Sequence, residues 1–326
     1  LAAGQRGAPV PELCRAGGFD PELLERADVM VDLDQCCRVM EAALRLTNDP
    51  FLGLHIGEVS TPSMVGVLGH LIESSPDVRT ACQHLEHFYH SVTNLTTYHT
   101  ELRDDLLVHF IEPIPLWNER SPETACMNVS LGMAAMEHSL KLLSGRNLFP
   151  VQASLRYPHP GDTREYLRVL KTEPQFGQPA NFIAFRLKDM QLPVLGFNRE
   201  LHRIYQELLE KAIAKTRQQS SFSSEIKRIL LQNFTPALPQ ISDLARLLHI
   251  SPRTLQRKLH EEGTSFLDIV ESVKSEIAID LLKKPGLTVA EIAYKLGYAE
   301  PSVFRRAFKK WTGTSPKGYS TQQAIG

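Results

Sequence analysis

Two stretches near the C-terminal end decide how this chain folds: Ile241–Leu259, ISDLARLLHISPRTLQRKL, and Val289–Phe308, VAEIAYKLGYAEPSVFRRAF. With one extra residue in the second turn, they carry one pattern. Leu244-Ala245 aligns with Ile292-Ala293, Leu248 with Leu296, Leu255 with Phe304, Arg257 with Arg306 and Leu259 with Phe308. Each copy predicts a helix, a tight turn and a second helix. A small residue, Ala245 or Ala293, lets the second helix cross the first closely, and large apolar neighbours hold the crossing. The second helices have their own start signals. Ser251-Pro252 offers a Ser N-cap with Pro at the first helical position, Glu300-Pro301 an acidic version of the same, and Gly297 suits a left-handed helix stop.

The second helices also expose reading groups. Arg253, Thr254, Gln256 and Arg257 fall on one, and Ser302, Arg305, Arg306 and Lys309 on the other. Arg donates a bidentate pair to guanine, Gln pairs with adenine, and hydroxyls reach bases or phosphates. A single Arg on a helix is usually a solvated charge; two matched helices point to double-stranded DNA. Between the copies, Ser265–Lys283 predicts a helix about 28 Å long, bounded by Gly263 and by Pro285-Gly286. Successive major-groove faces on one side of B-DNA lie about 34 Å apart, so one chain can set both reading helices into neighbouring turns.

The charge changes sign with position along the chain. From Phe222 to the end there are 15 Lys+Arg against 10 Asp+Glu, and before it 21 against 27, although the whole chain carries only −1. The expected organisation is a 1–216 effector-binding and dimerisation domain of α+β class, a polar linker over 217–223, and a 224–326 all-α domain with two helix-turn-helix units. Helical spacing predicts helices over Asp34–Thr47, with Asp34 as N-cap, and near Met64–Glu73, Pro76–Val92, Thr124–Leu143 and Thr163–Leu170. Leu95–Leu102 and Leu106–Ile111 read as a hairpin of half-buried strands, with further strands at Ala153–Tyr157 and Phe182–Leu187. Asn198–Thr216 predicts a helix with Leu201, Ile204, Leu208 and Ile213 in one stripe. That stripe either pairs two copies of the chain, through Leu201, Ile204 and Leu208, or packs on its own domain.

Ile292-Ala293, Leu296-Gly297-Tyr298, Phe304 to Lys310, Gly313, Ser315-Pro316 and Tyr319 resemble the C-terminal signature of the AraC/XylS family of bacterial transcription regulators. The resemblance implies recognition positions at Arg253, Thr254, Gln256, Arg257, Ser302, Arg305 and Arg306. It also implies contact with RNA polymerase and transcription activation. Pro301 stands where relatives often carry a polar base-contacting residue, which leaves apolar or shape readout there. Gly18 to Pro21, Asn48-Asp49-Pro50, Leu52-Gly53-Leu54 and Gly66 to Gly69 resemble the arabinose-binding-type effector domain of ornithine- and arginine-responsive regulators.

Other chemistries find little support. The expectation is a cytoplasmic, non-enzymatic protein with no membrane span, cofactor or metal. His84, His87 and His90 recur every three residues but lack further ligands nearby, and the five cysteines lack metal-ligand spacing. Cys36-Cys37 sits inside an apolar helical pattern, unlike a redox-sensing thiol. No nucleophile elbow, phosphate loop or dinucleotide fingerprint occurs. The leading function is a DNA-binding regulator responding to a small-molecule effector, ahead of one controlled by a protein partner and of an enzyme fused to a DNA-binding tail; the effector-binding residues are not readable.

Overall fold

The computed structural model describes residues 2–22, 31–219, 221–232, 240–248, 250–282 and 287–323. The chain forms two units, residues 1–113 with 121–215 and residues 114–120 with 216–326. In chain order the elements are α1 (Ala2–Gln5), α2 (Val10–Gly17), α3 (Leu33–Thr47), α4 (Leu52–Gly57), α5 (Val67–Glu73), α6 (Val78–Phe88), β1 (Thr96–Arg103), β2 (Leu106–Pro113), α7 (Pro115–Arg120), α8 (Pro122–Ser144), β3 (Gln152–Ser154), α9 (Arg164–Leu170) and β4 (Phe182–Arg186). There follow α10 (Arg199–Gln219), α11 (Phe222–Gln232), α12 (Ile241–Leu247), α13 (Pro252–Glu261), α14 (Phe266–Leu282), α15 (Val289–Lys295), α16 (Pro301–Thr312) and α17 (Pro316–Gln323).

The first unit is α+β, with one antiparallel four-stranded sheet in the order β1-β2-β4-β3. The predicted hairpin is present, and its turn is tighter than expected. Arg103 pairs directly with Leu106, so the loop is Asp104-Asp105 alone, with Asp104 at φ 52. The half-buried reading holds for β1 and fails for β2. As a central strand β2 is covered on both faces: Leu107, His109 and Ile111 on one, Val108 and Phe110 on the other, and all five are buried. Val108 and Phe110 join Ala184 in a small cluster of their own.

Helix α8 is buried around most of its circumference. Its approach to α4 depends on two glycines one helical turn apart: a Cβ at Gly53 would lie 2.2 Å from the Met127 carbonyl oxygen, and one at Gly57 2.4 Å from that of Leu131. Helix starts differ from the sequence reading where two acids compete. Asp32, not Asp34, caps α3, accepting from Gln35 N at 2.7 Å while the Gln35 side chain accepts from Asp32 N at 3.1 Å. That reciprocal arrangement satisfies two backbone donors at once, which Asp34 has no Gln or Glu at the right spacing to match. The Met64–Glu73 helix is interrupted: a 3₁₀ turn over Pro62–Val65 ends at Gly66, whose φ of 63 breaks the helical run before α5.

Every described element of the second unit is helical. The polar stretch read as a linker, 217–223, is divided: 217–219 finish α10, while Phe222 and Ser223 open α11. Pro285-Gly286, expected to break the connector, lie outside the described residues. Among the described residues no helix is long and apolar enough to cross a membrane.

Candidate nucleic-acid interface

The duplicated pattern folds as two helix-turn-helix units, α12–α13 and α15–α16. The aligned apolar residues form their interiors: Leu244, Ala245, Leu255 and Leu259 in the first, and Ile292, Ala293, Leu296, Phe304 and Phe308 in the second, are all buried. Both turns close in the same way. Ile250 N donates to the Ala245 carbonyl at 3.0 Å, and Tyr298 N to the Ala293 carbonyl at 3.0 Å, so the small residue that permits close crossing also supplies the turn's acceptor. Gly297 takes the left-handed conformation at φ 76 that this closure requires.

The second helices begin differently. Ser251 caps α13 through its hydroxyl, accepting from Thr254 N at 3.1 Å, with Pro252 in the first turn. Glu300 occupies the cap position of α16 but makes no side-chain cap bond; its carboxylate accepts from the Ser302 hydroxyl at 3.1 Å. The acidic cap read from Glu300-Pro301 is therefore a position without the bond, and Pro301 alone presets the first turn. Helix α15 has a full capping box, Thr288 N to Glu291 Oε2 at 2.7 Å and Glu291 N to Thr288 Oγ1 at 3.2 Å. The Thr288 N–H and hydroxyl, both donating to Glu291 Oε2, hold the Glu291 carboxyl below its ordinary range.

Between the two units, α14 buries Ile269, Val273, Ile277, Ala278 and Leu281 and packs on α11, α15, α16 and α17. Its 17 residues rise about 25 Å at 1.5 Å per residue, slightly less than the sequence implied. Around its C-terminal neighbours, Lys274 lies 4.5 Å over the Tyr298 ring, and Tyr298 packs against Phe304 and Trp311. Burial lowers the affinity of Lys274 for its proton and pushes Tyr298 up to about 12, with Glu271 adding to the latter.

Seven of the eight predicted reading residues, Arg253, Gln256, Arg257, Ser302, Arg305, Arg306 and Lys309, are exposed, and Thr254 is half-buried beneath its helix's cap. Their charges are not equally available. Arg257 Nη1 is held by Glu261 Oε1 at 2.6 Å, one turn along α13. Among the described residues Arg305, Arg306 and Lys309 have no ion pair, and α16 carries four basic residues and no acid. The Arg257–Glu261 pair was missed, although its i, i+4 spacing is the sequence signal for such a contact.

The other sequence-derived candidates fall in the first unit. On α10, Leu201, Ile204 and Leu208 are 44%, 38% and 49% exposed and Ile213 is half-buried, while His202, Tyr205 and Leu209 face inward, so the first three residues of the stripe lie off the helix's packing face. No group of three or more His, Cys, Asp or Glu among the described residues is arranged to hold a metal ion. Cys36 is a free thiol pushed up to about 12 by burial, then by Cys37, which opposes formation of a reactive thiolate.

Two buried helix-turn-helix cores joined by one helix, each presenting a basic second helix, define a DNA-binding protein of regulatory type. Comparison with known proteins places it further. Residues 7–194 match the arabinose-binding domain of AraC transcription regulators, N-terminal, and residues 244–322 match a helix-turn-helix domain. The chain belongs to this family of AraC-type transcription regulators, which are not enzymes. It is 29% identical to the ornithine utilization regulator of Pseudomonas aeruginosa over 92% of this chain and 87% of that one. It is 28% identical to an HTH-type transcriptional regulator of Mycobacterium tuberculosis over 98% of this chain and 92% of the other. The crystal structure of transcriptional regulator CdpR from Pseudomonas aeruginosa is similar over 98% of both chains, with 22% identity and a TM-score of 0.47.

Proposed function

We propose that this protein activates transcription by reading an asymmetric site of about two DNA turns with α13 and α16 of a single chain, under the control of a small molecule bound by the first unit. The observation that carries the reading is the pair of exposed, basic second helices standing on matched buried cores. Arg253, Thr254, Gln256 and Arg257 read one major-groove segment; Ser302, Arg305 and Arg306 read the next, with Lys309 on phosphate. Effector control is supported by the match to an arabinose-binding-type domain over most of the first unit. The ornithine utilization regulator, named for a small amino acid, supports the same ligand class without fixing the ligand. Contact with RNA polymerase follows from the family resemblance. The exposed Leu201, Ile204 and Leu208 stripe supports pairing of two copies through α10. The functional division is an effector and dimerisation domain, 1–216, a junction at 217–223, and a DNA-binding domain from 224 onward, acting in the cytoplasm.

Selection of bound sites from random duplex DNA tests the reading. The full chain is expected to enrich two short conserved boxes about 10 base pairs apart, with Arg306→Ala relaxing one box and Arg257→Ala the other. Failure to enrich any site, or identical sites from both variants and the wild type, contradicts it. A small molecule copurifying with the chain, found by mass spectrometry and shifting its DNA affinity on addition, supports effector control. A binding partner protein with that effect overturns it.

A further inference from the structure

Helix α10 is seated on the first unit by an unusual inner face. Tyr205 stacks on His70 of α5, with ring centroids 5.4 Å apart, and His202 meets His84 of α6 at 5.0 Å, leaving Leu209 as the buried apolar contact. His84 Nε2 and His202 Nδ1 are both buried and have no hydrogen-bond partner. An ordinary helix seat is aliphatic and indifferent to pH. This one brings two imidazoles together where water does not solvate those nitrogens, on the last helix of the unit in chain order. We propose that the buried contact between His84 and His202 is a proton-sensitive latch, and that mild acidification releases α10 from α6.

The groups facing His84 set the sign. Burial above all, then His202 on α10 and His87 on its own helix, disfavour a proton there; Glu210 on α10 favours one, and the balance holds His84 at about 4 against an ordinary 6.5. On the α5 side, His70 is paired with Glu73 at 3.4 Å and stacks on Tyr205. A group depressed in the seated state takes its proton more readily once released. Seating is therefore complete above about pH 6.5 and is lost progressively as pH falls from there toward 4. At pH 5.5, one unit below the ordinary histidine value, the released form gains about tenfold over its proportion at neutral pH. Because α10 continues to Gln219, past the boundary between the units at Lys215, the latch acts on the segment that leads into the DNA-binding helices.

Hydrogen–deuterium exchange on the full chain tests this, with rates corrected for the intrinsic pH dependence of amide exchange. Between pH 7.5 and 5.5, amides over residues 200–214 are expected to lose about tenfold in protection, while those of β2 and α8 keep theirs. His84→Phe preserves the ring contact while removing the depressed imidazole of α6 and is expected to reduce the pH dependence of α10 protection; His84→Gln gives the same reading should the Phe variant fold poorly. The proposal is overturned by unchanged α10 protection in the wild type, by a parallel loss in β2 and α8, or by a wild-type pH response in both variants.

Discussion

The two helix-turn-helix units share a core and a turn and differ in how their reading helices are started and charged. Helix α13 is capped by a hydroxyl and has its central Arg257 engaged by Glu261; α16 lacks a side-chain cap bond and leaves Arg305, Arg306 and Lys309 unpaired among the described residues. A cap stabilises a helix whether or not DNA is present, whereas an unpaired guanidinium contributes only on binding. The comparison therefore assigns the first unit more intrinsic order and the second more of the electrostatic attraction. The exposed Arg257–Glu261 pair is worth about 0–1 kcal/mol, which binding must offset before Arg257 can reach a base.

Five substitutions test this contrast. Arg306→Ala is expected to weaken binding to the selected site by about 1–3 kcal/mol, read by fluorescence anisotropy at fixed salt. Arg257→Ala is expected to cost up to about 1 kcal/mol less than that, because its release from Glu261 is already charged against it; an equal or larger loss removes the asymmetry. In thermal or urea unfolding, Ser251→Ala should destabilise the DNA-binding unit by about 1 kcal/mol, and Glu300→Ala by less than about 0.5 kcal/mol. Equal effects would show that the cap difference has no energetic meaning. Glu261→Ala, which frees Arg257, is expected to tighten DNA binding by at most a few tenths of a kcal/mol, about the worth of an exposed i, i+4 pair, with no change at sites mutated in the first box.

The same contrast shows what sequence pattern can and cannot reach. The helix-turn-helix pair was legible because its demands are local: Ala245 and Ala293 at the crossing, Gly297 in the turn and Ser251 at the cap each act within one turn of chain. Features set by distant chain were not legible. Two-sided burial of β2 depends on β4 and on helices from other parts of the unit, so alternation understated it. The close approach of α4 to α8 through Gly53 and Gly57 needs the partner backbone to be known. Competing local signals also misled: Asp34 is a good cap residue in isolation, but Asp32 has Gln35 to complete a reciprocal bond. The stripe on α10 was readable as a stripe, while the aromatic seat that turns it outward, His84 with His202 and His70 with Tyr205, joins residues more than a hundred positions apart.

A single chain is proposed to place α13 and α16 in neighbouring major grooves. Hydroxyl-radical footprinting of the full chain on its selected site measures this directly: two protected segments are expected on one face of the duplex, about 10 base pairs apart, with Arg257→Ala and Arg306→Ala each weakening a different segment. A single protected segment, or one that fades equally with either substitution, would contradict it.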